Sequence, residues 1–127
     1  MKIEKIYAQI VCSEHVASTG WYRSLFARDS DATPMAGLAE WHHGESVGLQ
    51  LFEDASKAGQ QTLTLMVGGL YGEKARLEDA GLYPREIEPA DTASLVRLSD
   101  PDGNVVVLAQ STHLLATRKR KDESWTR

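Results

Sequence analysis

The order of predicted strands and helices repeats along the chain, and this repeat constrains the fold more than any single motif does. Residues 3–52 contain an alternating stretch, an amphipathic helical stretch and then further short alternating stretches. Residues 62–109 show the same order about 55 residues later. A repeated unit fixes the architecture because each copy buries its apolar face in the same way. The sequence predicts one α+β domain built from two tandem βαβββ modules, at about residues 1–55 and 61–112.

The first module is predicted to open with a strand and a helix. Its first residues alternate between apolar and mixed positions, which is typical of a half-buried strand. Successive strand residues point to opposite faces, so Tyr7, Gln9 and Val11 share one face and the helix covers the other. Ser13 is predicted to cap a helix over residues 14–26.

The second module begins again with a strand and a helix. Thr62, Thr64 and Met66 share one face of this strand. A helix is predicted over residues 70–80, and Gly81 closes it because glycine adopts a positive φ without strain. The remaining predicted strands of the two modules lie at residues 28–33, 37–42, 47–52, 83–88, 94–98 and 105–109.

A tight turn and a buried strand end the second module. The segment Asp100–Asn104 has the composition of a turn, in which Pro101 presets φ and Gly103 tolerates a positive φ. The apolar run Val105–Leu108 follows it and predicts a strand that is covered on both faces. The turn fixes the register of this strand to within one residue, so Val107 can be assigned to a face.

Composition is that of an ordinary globular domain. The chain has 127 residues, of which 42% are hydrophobic and 25% charged. No apolar run approaches the roughly 20 residues needed to span a bilayer, and the first residues lack the apolar region of a secretory signal. A single cysteine, Cys12, rules out an internal disulfide and favours a reducing compartment. We therefore expect a cytoplasmic protein with no membrane partner.

Charge is distributed unevenly between the body and the C-terminal tail. Residues 1–117 carry 9 Lys and Arg against 16 Asp and Glu, a net charge of −7, and the last ten residues carry a net +3. An acidic body disfavours a general nucleic-acid surface. The tail at residues 113–127 contains Arg118–Lys121. We expect a mobile, solvated terminus there, and contact with nucleic acid or anionic lipid is the alternative.

Several motifs together resemble those of a known family: Trp21–Tyr22, Leu25–Phe26, Ala80–Gly81 and Ser99–Asn104. On these motifs the chain resembles the vicinal oxygen chelate superfamily of glyoxalases, bleomycin-resistance proteins and extradiol dioxygenases, over about residues 3–110. The resemblance implies the glyoxalase/bleomycin-resistance fold, in which curved mixed sheets enclose a cavity, and it implies a homodimer. Metal-dependent members of the family carry four ligands on the first and fourth strands of their modules.

The resemblance places those four ligand positions at Tyr7, Gln50, Thr62 and Val107. None of these residues is His, Asp or Glu, and divalent metals need imidazole, thiolate or carboxylate ligands. We therefore expect no metal and no other cofactor.

The cavity face combines aromatic, apolar and hydrogen-bonding side chains, which suits a small, partly apolar organic molecule. The predicted ligand-binding residues are Tyr7, Gln9, Trp41, Gln50, Phe52, Thr62, Thr64, Met66 and Val107. His42 is the best candidate for a general base, provided that it turns into the cavity. Glu40 and Glu45, which flank the third strand, are predicted to be exposed charges.

Two functions remain open at this point. The first is binding or sequestration of a small molecule, of the antibiotic-resistance type and without metal. The alternative is a lyase, isomerase or dioxygenase that uses its own side chains or a displaced metal site. In that alternative, a shifted register brings Glu53, His42 or His43 into the cavity.

Overall fold

The computed structural model describes residues 1–112 of the chain. The predicted basic tail, with Arg118–Lys121, lies outside the described residues. Strands and helices follow one another as β1 (Ile6–Cys12), α1 (His15–Phe26), β2 (Ala32–Met35), β3 (Leu38–His42), β4 (Val47–Glu53), β5 (Thr62–Met66), α2 (Leu70–Asp79), β6 (Glu88–Pro89), β7 (Ala93–Ser99) and β8 (Val105–Ser111). The order βαβββ occurs twice, which confirms the predicted α+β architecture.

Each module forms its own four-stranded mixed sheet. The strand orders are β1-β4-β3-β2 in the first sheet and β5-β8-β7-β6 in the second. In both sheets the first strand runs parallel to the last strand of its module, and the other pairs are antiparallel. Tyr7 pairs with Gly48 in the first sheet, and Thr64 pairs with Val107 in the second. Paired residues share a face, so the register assigns every side chain of the sheets to one side.

The hydrophobic core lies between the helices and one face of each sheet. It includes Ile10 and Leu51 of the first sheet, Leu63 and Val106 of the second, and Tyr22 of α1. These side chains form one contiguous cluster, so the two modules share a core within a single chain. Among residues 1–112, no helix is long and apolar enough to cross a membrane.

The N-terminus of α1 differs from the prediction. The cap position is Glu14, with no hydrogen bond from its side chain, so the predicted Ser13 cap is wrong. The Ser13 hydroxyl instead donates to Asp102, 89 residues away in the second module. Glu53 takes over the capping role, because its Oε1 accepts the backbone N–H of His15 at 2.9 Å.

The C-terminus of α2 follows the predicted pattern. Gly81 has a φ of 77°. Its N–H donates to the carbonyl of Glu78, and the N–H of Leu82 donates to the carbonyl of Leu77, both at 3.0 Å. This pair of bonds is the Schellman motif, and Leu82 is buried beside it.

Two weak strands are shorter or displaced relative to the prediction. The edge strand expected at residues 28–33 lies at Ala32–Met35 and contains Pro34, which an edge strand tolerates because one of its sides needs no N–H donor. The strand expected at residues 83–88 is reduced to Glu88–Pro89. Tyr83 has a φ of 54°, a left-handed conformation that is incompatible with a strand.

The turn Asp100–Asn104 is confirmed and joins the two modules. Oδ1 of Asp100 accepts the backbone N–H groups of Asp102 and Asn104, each at 2.9 Å. Oδ2 of Asp100 accepts the hydroxyl of Tyr22 from α1 at 2.9 Å, and the amide of Asn104 donates to the carbonyl of Val11 at 3.0 Å. Burial and the adjacent Asp100 raise the pKa of Tyr22 far above its usual value, so the phenol stays protonated as a donor.

Candidate functional site

The face of the first sheet that points away from the helices carries a cluster of polar side chains. We call this face the helix-free face of the first sheet. The register of β1, β4 and β3 arranges its central residues in two neighbouring rows, Gln9–Gln50–Glu40 and Tyr7–Gly48–His42. The Glu40 cluster is defined as Tyr7, Gln9, Glu40, His42 and Gln50.

Glu40 is the centre of this cluster. Its residue surface is only 8% exposed. Oε2 accepts the amide of Gln50 at 2.8 Å, while Oε1 lies 3.1 Å from Nε2 of His42 and 3.4 Å from the hydroxyl of Tyr7. The amide of Gln9 donates to Oε1 of Gln50 at 3.2 Å, which fixes the orientation of that amide. The cluster is a connected hydrogen-bond network around one carboxylate.

The carboxylate of Glu40 is held in its charged form. The hydrogen bond from Gln50 contributes most to a pKa below the usual range, and the bond with His42 adds to it. Within the described part of the chain, no Lys or Arg side chain forms an ion pair with Glu40, and His42 is its one basic neighbour. At neutral pH Glu40 therefore carries a negative charge that no Lys or Arg among residues 1–112 neutralises in an ion pair.

Tyr7 owes its position to a glycine beneath it. A Cβ atom on Gly48 would lie 2.6 Å from Cε1 of Tyr7, a distance that real structures do not allow. The absence of that atom lets the ring lie against the sheet, 6.2 Å from the ring of His42 in an edge-to-face arrangement. The ammonium group of Lys5 lies 5.3 Å from the Tyr7 ring centroid.

An apolar row adjoins the Glu40 cluster on the same face. Val11, Phe52 and Leu38 pair across β1, β4 and β3, next to the row that contains Glu40. Apolar area beside a few fixed polar groups is the usual composition of a small-molecule site. These pairings also place Gln9, Gln50 and Phe52, three of the predicted ligand-binding residues, on the helix-free face of the first sheet.

The second sheet brings the other predicted residues together on its own helix-free face. Thr62, Thr64 and Met66 lie along β5, and Val107 pairs with Thr64. Met66 is 63% exposed in the single chain. Among residues 1–112, no hydrogen bond or ring contact joins this set to the Glu40 cluster. The predicted ligand set is thus divided between two faces.

A cleft of about 670 Å³ lies between the modules, at the end of α1 and beside α2. Its lining includes Phe26 and His43 from the first module and Thr64, Met66 and Leu108 from the second. The His43 ring is 4.6 Å from that of Phe26, and burial lowers the pKa of His43. His43 therefore faces the helices, on the side of the sheet opposite to His42.

Comparison with known proteins shows what this architecture is similar to. A glyoxalase/bleomycin resistance protein from Catenulispora acidiphila superimposes with a TM-score of 0.78 and 25% identity, over 84% of this chain and 97% of that one. The chain has the vicinal oxygen chelate fold. The resemblance predicted from its motifs is confirmed. No protein-family model matches the chain, and no curated protein matches it.

Two further vicinal oxygen chelate neighbours differ in what their names say they do. An antibiotic-binding protein from a Streptomyces species superimposes with a TM-score of 0.72 and 21% identity, over 83% of this chain and 93% of that one. A lactoylglutathione lyase from Agrobacterium tumefaciens superimposes with a TM-score of 0.71 and 18% identity, over 84% of this chain and 92% of that one. Both likenesses show the fold alone.

The four positions that the resemblance assigns to metal ligands do not carry a suitable donor set in this chain. Tyr7 and Gln50 offer a phenol and an amide that already bond within the Glu40 cluster, and Thr62 offers a hydroxyl. Val107 offers no donor atom at all. Over residues 1–112, no group of three or more His, Cys, Asp or Glu side chains is placed to hold a metal ion. These residues do not fit a divalent metal.

Trp41 is not part of the helix-free face, and its predicted ligand contact is corrected. Its side chain is fully buried, and it pairs with Leu49, whose side chain points to the core. Its indole N–H donates to the carbonyl of Arg28 at 3.0 Å, and its ring lies 5.6 Å from that of Phe26. Trp41 is a core residue because strand alternation turns it away from its neighbours Glu40 and His42.

Glu40 is the residue that the sequence analysis missed. The prediction that it is an exposed charge is wrong, since it is among the most buried charged groups of the described chain. The missing signal was strand periodicity: Glu40 precedes His42 by two residues and must share its face. Of the three residues considered for a shifted register, only His42 reaches this face, because Glu53 caps α1 and His43 contacts Phe26.

Proposed function

We propose that this protein binds a small, partly apolar organic molecule on the helix-free faces of its sheets, without a divalent metal. The observation that carries the proposal is the Glu40 cluster beside the apolar row of Val11, Leu38 and Phe52. The fixed polar groups orient a ligand, and Phe52, the one partly exposed residue of the apolar row, supplies contact area. In the second sheet, Thr62, Thr64, Met66 and Val107 extend the same kind of surface.

The ligand class follows from the chemistry of the face. The rings of Tyr7 and Phe52 favour an aromatic or alicyclic molecule, and the amides of Gln9 and Gln50 favour hydrogen-bonding substituents on it. The shared fold with an antibiotic-binding protein supports antibiotics as the first compounds to test. Metal-free binding is supported by the side chains at the four positions that the resemblance assigns to metal ligands. None of them, Tyr7, Gln50, Thr62 or Val107, is His, Asp or Glu.

We also propose that two chains associate so that the helix-free faces are covered. In a single chain, Met35 on the first helix-free face and Met66 on the second are 57% and 63% exposed, which leaves apolar area on both faces for a second chain to cover. Sedimentation equilibrium is expected to give twice the 14.0 kDa chain mass. A single-chain mass at micromolar concentration would refute association.

A cytoplasmic location is proposed as well, supported by the free and buried Cys12, and cell fractionation tests it.

The binding proposal is tested by thermal shift with a panel of partly apolar antibiotics. A ligand at a hundred times its Kd stabilises the folded state by about 2.7 kcal/mol, which raises the melting temperature measurably. Tyr7→Ala is expected to abolish the shift. Tyr71→Ala is the matched control, because Tyr71 is an exposed tyrosine on α2 and is expected to leave the shift unchanged. A shift that survives Tyr7→Ala would place the ligand elsewhere.

A second candidate function, catalysis by side chains, is favoured by one observation. Nε2 of His42 lies 3.1 Å from Oε1 of Glu40, an arrangement that orients the imidazole and leaves its second nitrogen for proton transfer. Incubation of the protein with any antibiotic that shifts its melting temperature, followed by mass spectrometry, separates the two functions. Recovery of a compound with unchanged mass and chromatographic retention supports binding, and a change in either that depends on His42 supports catalysis.

A further inference from the structure

Glu40 differs from the other buried carboxylate of the described chain in how fully its oxygens are used. A carboxylate offers about four acceptor positions. Asp100 receives four donors: the backbone N–H groups of Asp102 and Asn104, the hydroxyl of Tyr22 and the amide of Asn104. Glu40 receives three contacts, and the one from Tyr7 is long at 3.4 Å. Glu40 therefore retains acceptor capacity that Asp100 has lost, and among the described residues the Gln50 amide is the one hydrogen-bond partner of Oε2.

Among the described residues, Glu40 forms no ion pair with Lys or Arg, whereas several other carboxylates do. Asp31, Glu73 and Glu88 each form an ion pair with an arginine at 2.7–2.9 Å. Glu40 is more buried than any of these three, yet within residues 1–112 its one basic partner is the imidazole of His42. An ionised carboxylate with little solvent contact gains most from a cation that can also donate hydrogen bonds.

The surroundings of Glu40 define the shape of such a cation. On one side lies the apolar row with Phe52, and on the other lies the ring of Tyr7. Lys5 shows that a cation is accepted near the Tyr7 ring, at 5.3 Å from its centroid, although Lys5 forms no ion pair with Glu40 among the described residues. The net charge of −7 over residues 1–117 also attracts cations toward the protein.

We propose that the Glu40 cluster selects molecules in which a cationic nitrogen group, an amidinium, guanidinium or ammonium, is joined to an apolar or aromatic part. Glu40 binds the cation, and Phe52, the partly exposed residue of the apolar row, contacts the apolar part. An amidinium or guanidinium suits the site best, because its parallel N–H groups match the two carboxylate oxygens. This inference rests on the proposed binding function and adds the chemical class of its ligand.

The test uses two probes of the same size and shape, benzamidine, which is cationic, and benzamide, which is neutral. NMR titration of the full chain is expected to show benzamidine binding at least about tenfold more tightly than benzamide. In Glu40→Gln, which keeps the side-chain shape but removes the charge, the difference is expected to disappear. Glu45→Gln is the matched control, because Glu45 is an exposed glutamate in the connection between β3 and β4, and it should keep the difference.

A measurement on the unmodified protein covers the case in which Glu40→Gln does not fold. Benzamidine is expected to shift the backbone resonances of Tyr7, Glu40 and Gln50 more than those of α2, which also carries carboxylates. Equal affinity for the two probes, no binding of benzamidine, or shifts confined to α2 would each overturn the inference. The antibiotic panel tests the binding function separately, so a neutral ligand that binds there would leave the proposed function standing while the cation preference fails.

Discussion

Replacement of Gly48 by alanine tests directly whether the Tyr7 ring packs against the sheet because Gly48 has no side chain. The added Cβ would lie 2.6 and 2.8 Å from two ring atoms of Tyr7, and 3.3 Å from the carbonyl oxygen of Trp41. Tyr7 lies on an edge strand and is half-buried, so the ring can leave the sheet. We expect Gly48→Ala to displace the ring, to break its contact with Glu40 and to cost about 1–2 kcal/mol of unfolding free energy.

A double-mutant cycle with urea unfolding isolates this contact. In the Tyr7→Ala background the obstructing ring is gone, so Gly48→Ala should change the unfolding free energy by no more than about 0.5 kcal/mol. Gly68→Ala is the matched control, because an added Cβ there meets no atom within 4 Å and the φ of Gly68 is not positive. It should be neutral or slightly stabilising, because alanine restricts the unfolded chain. Equal changes in unfolding free energy for Gly48→Ala and Gly68→Ala would refute the proposed packing of Tyr7 over Gly48.

Further predictions concern the contact between the modules, the decline in melting temperature at low pH and the hydrophobic core. Tyr22→Phe removes a donor from the buried carboxylate of Asp100 and should lower the unfolding free energy by about 1–2 kcal/mol in urea titrations. The pKa of Glu40 is lowered in the folded state, so its stabilising effect is present above the unfolded pKa of about 4.3 and is lost as the pH falls through the folded value. Glu40→Gln should therefore flatten the decline in melting temperature below about pH 5, while Glu45→Gln keeps it. Trp41→Phe should cost about 1–3 kcal/mol in stability and leave antibiotic-induced thermal shifts intact, because Trp41 is a core residue; loss of those shifts in a folded variant would contradict this.

The elements that the sequence predicts well are those set by local chemistry. Gly81 ends α2 as expected, because only the residues within one turn decide a Schellman motif. The turn Asp100–Asn104 is correct for the same reason, since its bonds lie within five residues. The faces of β1 and β5 follow from an alternation that is visible in the residues themselves.

The features that the sequence does not predict depend on distant partners. Ser13 fails as a cap because Asp102, from the other module, accepts its hydroxyl. Alternation places Glu40 on the same face as His42, but its burial depends on Gln50 and Tyr7 from two other strands, which no local pattern shows. An aromatic residue on a strand suits either face equally well, so Trp41 could be assigned only once the register of β3 with β4 was known.

The bonds of the turn Asp100–Asn104 have a consequence for how the chain folds. The turn accepts a hydrogen bond from the buried hydroxyl of Tyr22 and donates one to the carbonyl of the buried residue Val11, both in the first module. Separation of the two modules would leave these groups without hydrogen-bond partners, at a cost of about 1–3 kcal/mol of unfolding free energy for each group. We therefore expect the two halves of the repeat to unfold as one cooperative unit, and a fragment that ends in the connector at residues 54–60 to lack hydrogen-bond partners for Tyr22 and for the Val11 carbonyl.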